Sequence, residues 1–258
     1  MNRMPTLLPR PCQPKISSRK LEMQFGIIAA GEGSRLVEEG SATPKPLVSL
    51  CGTPMIGRLL KLYADAGASS VSIIIKASMP EVKDYVESLG PELGMEVRAE
   101  LRHTPSSMHT FFELMQLMRP EGRFVVSTVD TVFRPEEFMR YVEAFRSVPD
   151  SVDGLMGVTD FIDDEKPLYV EADSNLNITA FSDSPAPRSR FVSGGLYGLS
   201  PKAIDVLGTC LAEGMERMRN FQRALLDARL RLKAFPMGKI IDVDHLADLR
   251  RAQELLIS

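Results

Sequence analysis

Apolar positions along the chain follow two alternating patterns. Short continuous runs, QFGIIAA (24–30), SVSIIIK (70–76) and RFVVSTV (123–129), predict strands buried on both faces. Between them, apolar residues recur every three or four positions. TPMIGRLLKLYADAG (53–67) predicts a helix with Thr53 as cap, Pro54 in its first position and Gly67 at its end. Met55, Ile56, Leu59, Leu60 and Tyr63 form its apolar face. PEVKDYVESLG (80–90) predicts a second helix, proline first and glycine last. MEVRAEL (95–101) predicts a strand; 107–118 and RPEEFMRYVEAF (134–145) predict helices. Strand and helix alternating at this spacing imply an α/β fold with a doubly wound, mixed but mostly parallel sheet flanked by helices.

The pattern changes after residue 150. GLMGVTD (154–160), PLYVEAD (167–173), LNITAFS (176–182) and RFVSGGLYGLS (190–200) alternate like short strands, joined by Asp, Ser, Asn and Pro turns. They predict a small antiparallel subdomain or lid beside the main sheet. Helices are expected at 201–213, 217–230 and 245–256, with a strand-like RLKAFPM (231–237) among them. Met115, Met118, Met215 and Met218 stand at helical spacing and read as packing residues.

Composition narrows the class. A net charge of −3 offers no basic field for nucleic acid or an anionic membrane. No apolar run approaches the roughly 20 residues of a spanning helix. Cys12, Cys51 and Cys210 are scattered, which fits a reducing, cytoplasmic setting rather than a disulfide framework or zinc site. The segment 1–22 carries four prolines and five basic residues against one acidic. It reads as a disordered arm, or as an extension before a natural start at Met23. The expectation is then one domain over 23–258, leaving a homo-oligomer open.

The first buried run ends in FGIIAAGEGSRL (25–36). Gly31 and Gly33 let backbone N–H groups approach phosphate oxygens. Leu36 occupies the third-glycine position of the dinucleotide fingerprint, and the Gly-Lys-Ser/Thr ending of a Walker loop is absent. Arg35 follows the turn, and Lys45 lies between two prolines in TPKPLVSLCGTPM (43–55). A planar guanidinium fork and a stiffly mounted ammonium beside one glycine turn suit an anionic ligand.

AAGEGSRL with PKPLVSLCGTPMI resembles the signature of nucleotidyltransferases that make activated sugars, the sugar-nucleotide pyrophosphorylases and their cytidylyl- and uridylyl-transferring cousins. The resemblance implies transfer of a nucleoside monophosphate from an NTP to a phosphorylated small-molecule acceptor, foremost a sugar 1-phosphate, with Mg²⁺ and release of pyrophosphate. It implies that Ala29, Ala30, Gly31, Gly33 and Ser34 wrap the nucleotide while Arg35 and Lys45 contact the triphosphate. Asp130, just past an apolar strand in VVSTVDTVF (125–133), resembles the metal aspartate, with Val129 standing where glycine is usual. In KIIDVDHLADLRRAQELL (239–256), Asp242 aligns best with the second metal ligand and Asp244 with a helix cap, though the two roles could be reversed. Ser106 and Ser107 resemble the segment that contacts base and sugar; a plain serine N-cap is the equal alternative. Gly194 and Gly195 resemble the strand that lies against the acceptor. The Glu-Lys pair usual before that strand is missing from FSDSPAPRSR (181–190), which leaves Arg188 or Arg190 as replacements for its acceptor-binding lysine. Val129 and the missing pair also keep open a non-catalytic nucleotide-sugar sensor of the same fold.

Overall fold

A computed structural model describes residues 23–31, 33–162 and 166–257. The expected arm, 1–22, lies outside the described residues, as do Cys12 and Glu32.

The chain opens with β1 (Gln24–Ala29), the short α1 (Ser34–Glu38) and a 3-10 turn (Lys45–Leu47). Two-residue strands β2 (Ser49–Leu50) and β3 (Thr53–Pro54) precede α2 (Met55–Asp65). Then come β4 (Ser70–Lys76), α3 (Pro80–Glu92), β5 (Glu96–Arg102), α4 (Ser107–Met118), β6 (Phe124–Thr128), β7 (Thr131–Val132) and α5 (Pro135–Ser147). The second half contains β8 (Gly154–Thr159), β9 (Tyr169–Ala172), β10 (Ile178–Ser182), β11 (Ser189–Leu199), α6 (Lys202–Ala212), α7 (Met218–Asp227), β12 (Leu232–Pro236), β13 (Ile241–Asp242) and α8 (Leu246–Ile257).

One sheet runs β10-β9-β11-β6-β1-β4-β5, with β8 added on β11 and β12 on β8. β6, β1, β4 and β5 are parallel; β11 joins β6 antiparallel. β8 to β11 pair antiparallel as expected, with β12 joining β8 parallel, and they extend the main sheet. β11 carries them onto β6, and local alternation carries no information about which edge a strand will find.

Side-chain alternation divides the core. Phe25, Ile27 and Ala29 of β1 and Val71, Ile73 and Ile75 of β4 pack on one face with α2, α3 and α5. Ile28 and Ile74 turn to the other face with residues of α4, α6 and α7, where Met115, Met118 and Met218 are buried. A third cluster joins Leu36, Val48, Leu50, Met55, Val132, Ile241, Val243, Ala252 and Leu255. Burying each of these contributes about 1.5–3 kcal/mol. This cluster ties the loop after β1, the Lys45 turn and the C-terminal segment into one body.

The ends of α2 and α3 differ from expectation for clear physical reasons. Thr53 pairs with Leu50 in β3 and caps nothing; α2 starts at Met55 with Pro54 in the cap position. Gly90 does not end α3, which runs through Pro91 to Glu92 and turns at Gly94 (φ +66°). A Cβ on Gly90 would lie 2.6 Å from Val97 Cγ2, so this glycine serves close packing of helix on strand.

Candidate active site

β1 sits between β4 and β6, both parallel to it, and the chain reaches β6 only after β4 and β5. That reversal of strand order opens a crevice at the carboxyl ends of β1 and β6, where ligands of open α/β sheets bind. Register brings the two ends together: Ile28 pairs with Thr128, and Val129 N–H donates to Ile28 O at 3.1 Å. The glycine loop after β1 and Asp130 after β6 therefore share one edge.

Gly33 adopts a left-handed conformation (φ +61°), and an added Cβ would stand 2.8 Å from Lys45 Cβ. Both facts require glycine. The turn thus lies directly on the Lys45 stem. Pro44 and Pro46 fix the backbone around Lys45, which is only 7% exposed. Its Nζ donates to Asp130 Oδ2 and to Asp244 Oδ1, each at 2.6 Å. Arg35 Nη1 donates to Asp244 Oδ2 at 2.8 Å. Burial opposes the Lys45 charge, but Asp130 and Asp244 outweigh it and hold the ammonium above its ordinary range. For Asp130, burial pushes the carboxyl up; the Lys45 charge, with hydrogen bonds from Lys45 and Thr128, outweighs that and holds it below the usual carboxylate range.

The C-terminal segment enters through β13, which pairs antiparallel with β7 so that Asp242 faces Thr131. Thr131 Oγ1 donates to Asp242 Oδ1 at 2.9 Å, and Val243 N–H donates to Asp130 O at 3.0 Å. Asp130, Asp242 and Asp244 so come from distant parts of the chain to one edge of the sheet. Asp244 does not cap α8. Its own N–H and that of His245 donate to Asp248 Oδ2, at 3.0 and 2.7 Å, while Glu39 accepts from Leu246 N–H at 2.7 Å. Capping by Asp248 and Glu39 releases the Asp244 side chain for the two cations. His245 pairs through Nδ1 with Glu39 at 2.5 Å, which seals α1 against α8.

Two pockets flank this cluster. The first, about 650 Å³, is bordered by Ala30, Gly31, Lys45, Ser106, Ser107 and Asp130. Ser106 is also the N-cap of α4, accepting from His109 N–H at 3.4 Å, so the cap and a place on the pocket wall are compatible. Val129 borders the same pocket while 6% exposed and packed in the core. Most of its bulk is therefore directed into protein. The second pocket, about 320 Å³, is bordered by Arg35, Ser193, Gly194, Asp242, Asp244 and Arg251.

Of the expected acceptor residues, Gly194 lies in the second pocket, but Gly195 (φ +67°) has a different duty. A Cβ there would stand 2.2 Å from Thr131 Oγ1 and 2.7 Å from Thr128 Oγ1. Its bareness makes room for the threonine pair that holds Asp242. Arg188 and Arg190 border neither pocket; Arg190 instead places its guanidinium over the Phe191 ring at 5.5 Å. The start of β11, around Ser189 and Phe191, pairs with β9. Arg251 was missed because it lies on α8, where its spacing reads as an ordinary solvated helix face.

The carboxylate oxygens suit a hard divalent cation such as Mg²⁺, which takes one or two protein carboxylates and fills its shell with phosphate and water. Among the described residues no group of three or more His, Cys, Asp or Glu side chains is arranged to hold a metal.

Comparison with known proteins follows the same lines. The family model for nucleotidyl transferases matches residues 26–256. The bifunctional protein GlmU of Methanocaldococcus jannaschii is 23% identical over 195 residues, 74% of this chain and 43% of that protein. A 2-aminoethylphosphonate cytidylyltransferase of Lancefieldella rimae is 27% identical over 116 residues, 44% of this chain and 45% of the relative. The matches thus span less than half the length of these curated relatives. The inositol-1-phosphate CTP transferase of T. maritima superposes with a TM-score of 0.75 at 18% identity, over 90% of this chain and 94% of that one, a likeness of fold. With the match running from β1 to α8, the chain belongs to the nucleotidyl transferase family of enzymes.

Proposed function

We propose that the protein transfers a nucleoside monophosphate from an NTP to a phosphorylated small molecule, foremost a sugar 1-phosphate, and releases pyrophosphate. One observation carries the reading: the buried Lys45 ammonium, 2.6 Å from both Asp130 and Asp244, stands where the glycine-loop pocket meets the Gly194–Asp242 pocket. The first pocket suits the nucleotide and the second the acceptor, so the two phosphates would meet at the charged cluster.

The acceptor phosphate is already an anion, so attack on the α-phosphorus needs no covalent enzyme intermediate. Positioning and charge neutralisation supply the catalysis. Backbone N–H groups around Gly31 and Gly33 cradle the phosphates. Lys45 and Arg35 neutralise the triphosphate and the leaving pyrophosphate, exchanging their carboxylate partners for phosphate oxygens. Asp130 and Asp242 would hold Mg²⁺, which would offset the negative charge of the phosphates. Asp244 keeps both cations aimed at the reacting edge before substrate arrives.

The test is a pyrophosphate-release screen with Mg²⁺, crossing the common NTPs and dTTP with sugar 1-phosphates, phosphorylated amino alcohols and 2-aminoethylphosphonate. Release requiring one NTP and one acceptor together, and falling about 10²-fold or more in Asp130→Asn, is expected. A second reading, a nucleotide-sugar sensor without turnover, is favoured by Val129 at the pocket wall. Nucleotide-sugar binding with no release across the panel would establish it in place of the enzyme.

A further inference from the structure

A third cavity, about 300 Å³, adjoins both pockets. It shares Ser107 with the nucleotide pocket and Ser193 with the acceptor pocket. Three basic side chains border it, Lys166, Arg217 and Arg219, and no acidic one does among the described residues. Arg219 is partly offset by Asp183, which also takes Arg223 at 2.6 Å. The floor is polar and buried. Gln222 is 3% exposed, and its Oε1 accepts from Ser193 Oγ at 2.8 Å. No partner for its side-chain N–H₂ is found among the described residues, and Gln222 borders the cavity. A buried amide that keeps two donors open toward a basic cavity is arranged for an oxygen anion.

The cavity is close to the chemistry. Ser193 is two residues from Gly195, which abuts the Thr131 hydroxyl that holds Asp242. Tyr197, also on its wall, lies near enough to Asp242 and Asp130 that, after burial, their charges further disfavour its ionisation. The reacting phosphate is already served by Lys45, Arg35 and the metal carboxylates. A second basic cluster behind the acceptor pocket exceeds what one phosphate needs.

We propose that this cavity binds a second anionic group of the acceptor, a carboxylate or phosphate remote from the one that reacts, through Arg217 and the Gln222 amide. This rests on the nucleotidyl-transfer reading and names its acceptor class: a phosphorylated small molecule bearing a further acidic group.

Matched acceptors test it. Glucose 1-phosphate is compared with glucuronate 1-phosphate and with glucose 1,6-bisphosphate, which differ only at the sixth carbon. KM for at least one charged member is expected to be about tenfold lower or better, the worth of one charge-assisted hydrogen bond. The carboxylate and bisphosphate arms tell which anion is preferred. Arg217→Ala is expected to erase that ratio, whereas Lys61→Ala, an exposed charge elsewhere, preserves it. Gln222→Leu should erase it without adding charge repulsion. Equal KM for charged and neutral acceptors, or a ratio unchanged in both Arg217→Ala and Gln222→Leu, overturns the proposal. If no acceptor releases pyrophosphate, the transfer reading fails. Calorimetric titration of the same three compounds then decides the cavity alone: tighter binding of a charged compound, lost in Arg217→Ala, upholds it, and equal binding refutes it.

Discussion

Replacing Lys45 with methionine isolates the charge at the centre of the site. Methionine keeps most of the buried apolar stem and removes only the ammonium, leaving Asp130 without its cation while Asp244 keeps Arg35. Breaking a fully buried ion pair costs about 3–5 kcal/mol. Here Lys45 is buried but the Asp130 and Asp244 side chains are 27% and 40% exposed, so water screens part of the loss. A destabilisation of about 1–3 kcal/mol at neutral pH is expected, seen as a lower urea midpoint with unchanged m-value. The pH dependence carries the sign. In the native protein the folded Asp130 pKa is lowered, so its contribution is present above the unfolded value of about 3.9 and fades as pH falls through the folded value. Lys45 has a raised folded pKa, so its contribution is full below about 10.4 and fades as pH climbs through the folded value. Without Lys45, burial is opposed only by the hydrogen bonds from Thr128 and the backbone, so the Asp130 pKa moves up and most of the stability it contributes above about pH 4 is lost. The gap between native and variant protein is therefore full at pH 7 and narrows on acidification below about pH 4. Urea melts at the two pH values measure it. Equal midpoints at pH 7, or a gap that does not narrow in acid, would refute the triad of Lys45, Asp130 and Asp244.

Gly33→Ala should lose about 1–2 kcal/mol in the same melts, from left-handed strain and the contact with Lys45, whereas Gly31→Ala, whose Cβ would meet nothing within 4 Å, should lose far less. Asp242→Asn keeps an oxygen for Thr131 but weakens a metal ligand, so the Mg²⁺ concentration for half-maximal pyrophosphate release should rise about tenfold with little change in the urea midpoint. Asp153, 5% exposed, accepts from Arg231 N–H and Lys202 Nζ, each at 2.8 Å, far from the cleft. Burial opposes its charge but these partners lower its pKa, so Asp153→Asn should cost about 1–2 kcal/mol at pH 7. That difference should vanish as pH falls through the folded Asp153 value below about 3.9, with steady-state activity at pH 7 unchanged.

Much of the fold is legible where sequence neighbours decide. β4 and α4 fall at the ends predicted for them because Ile73–Ile75 fill both faces of a strand and Ser106 supplies a local cap. The same locality misleads at Thr53 and Gly90. Each has the residue type of a helix end, yet Thr53 is taken by a partner strand and Gly90 by contact with β5. In the site, Arg35, Lys45 and Asp130 can be singled out as charges at the ends of buried runs. Arg217 cannot, because a basic residue at the start of an amphipathic helix looks like any solvated charge until β11 is seen behind it.

By itself the sequence determines which segments are strands and helices, and that a glycine turn with two cations ends the first strand, since these depend on spacing over a few residues. Only the tertiary structure decides that the antiparallel strands continue the main sheet, and that Asp244 pairs with both Lys45 and Arg35. Lys45 meets Asp130 across 85 residues and Asp244 across 199. Contacts at such separation are set by strand order and by the burial of Leu36, Val132 and Ile241 in a shared cluster, which no local pattern of apolar and polar residues encodes.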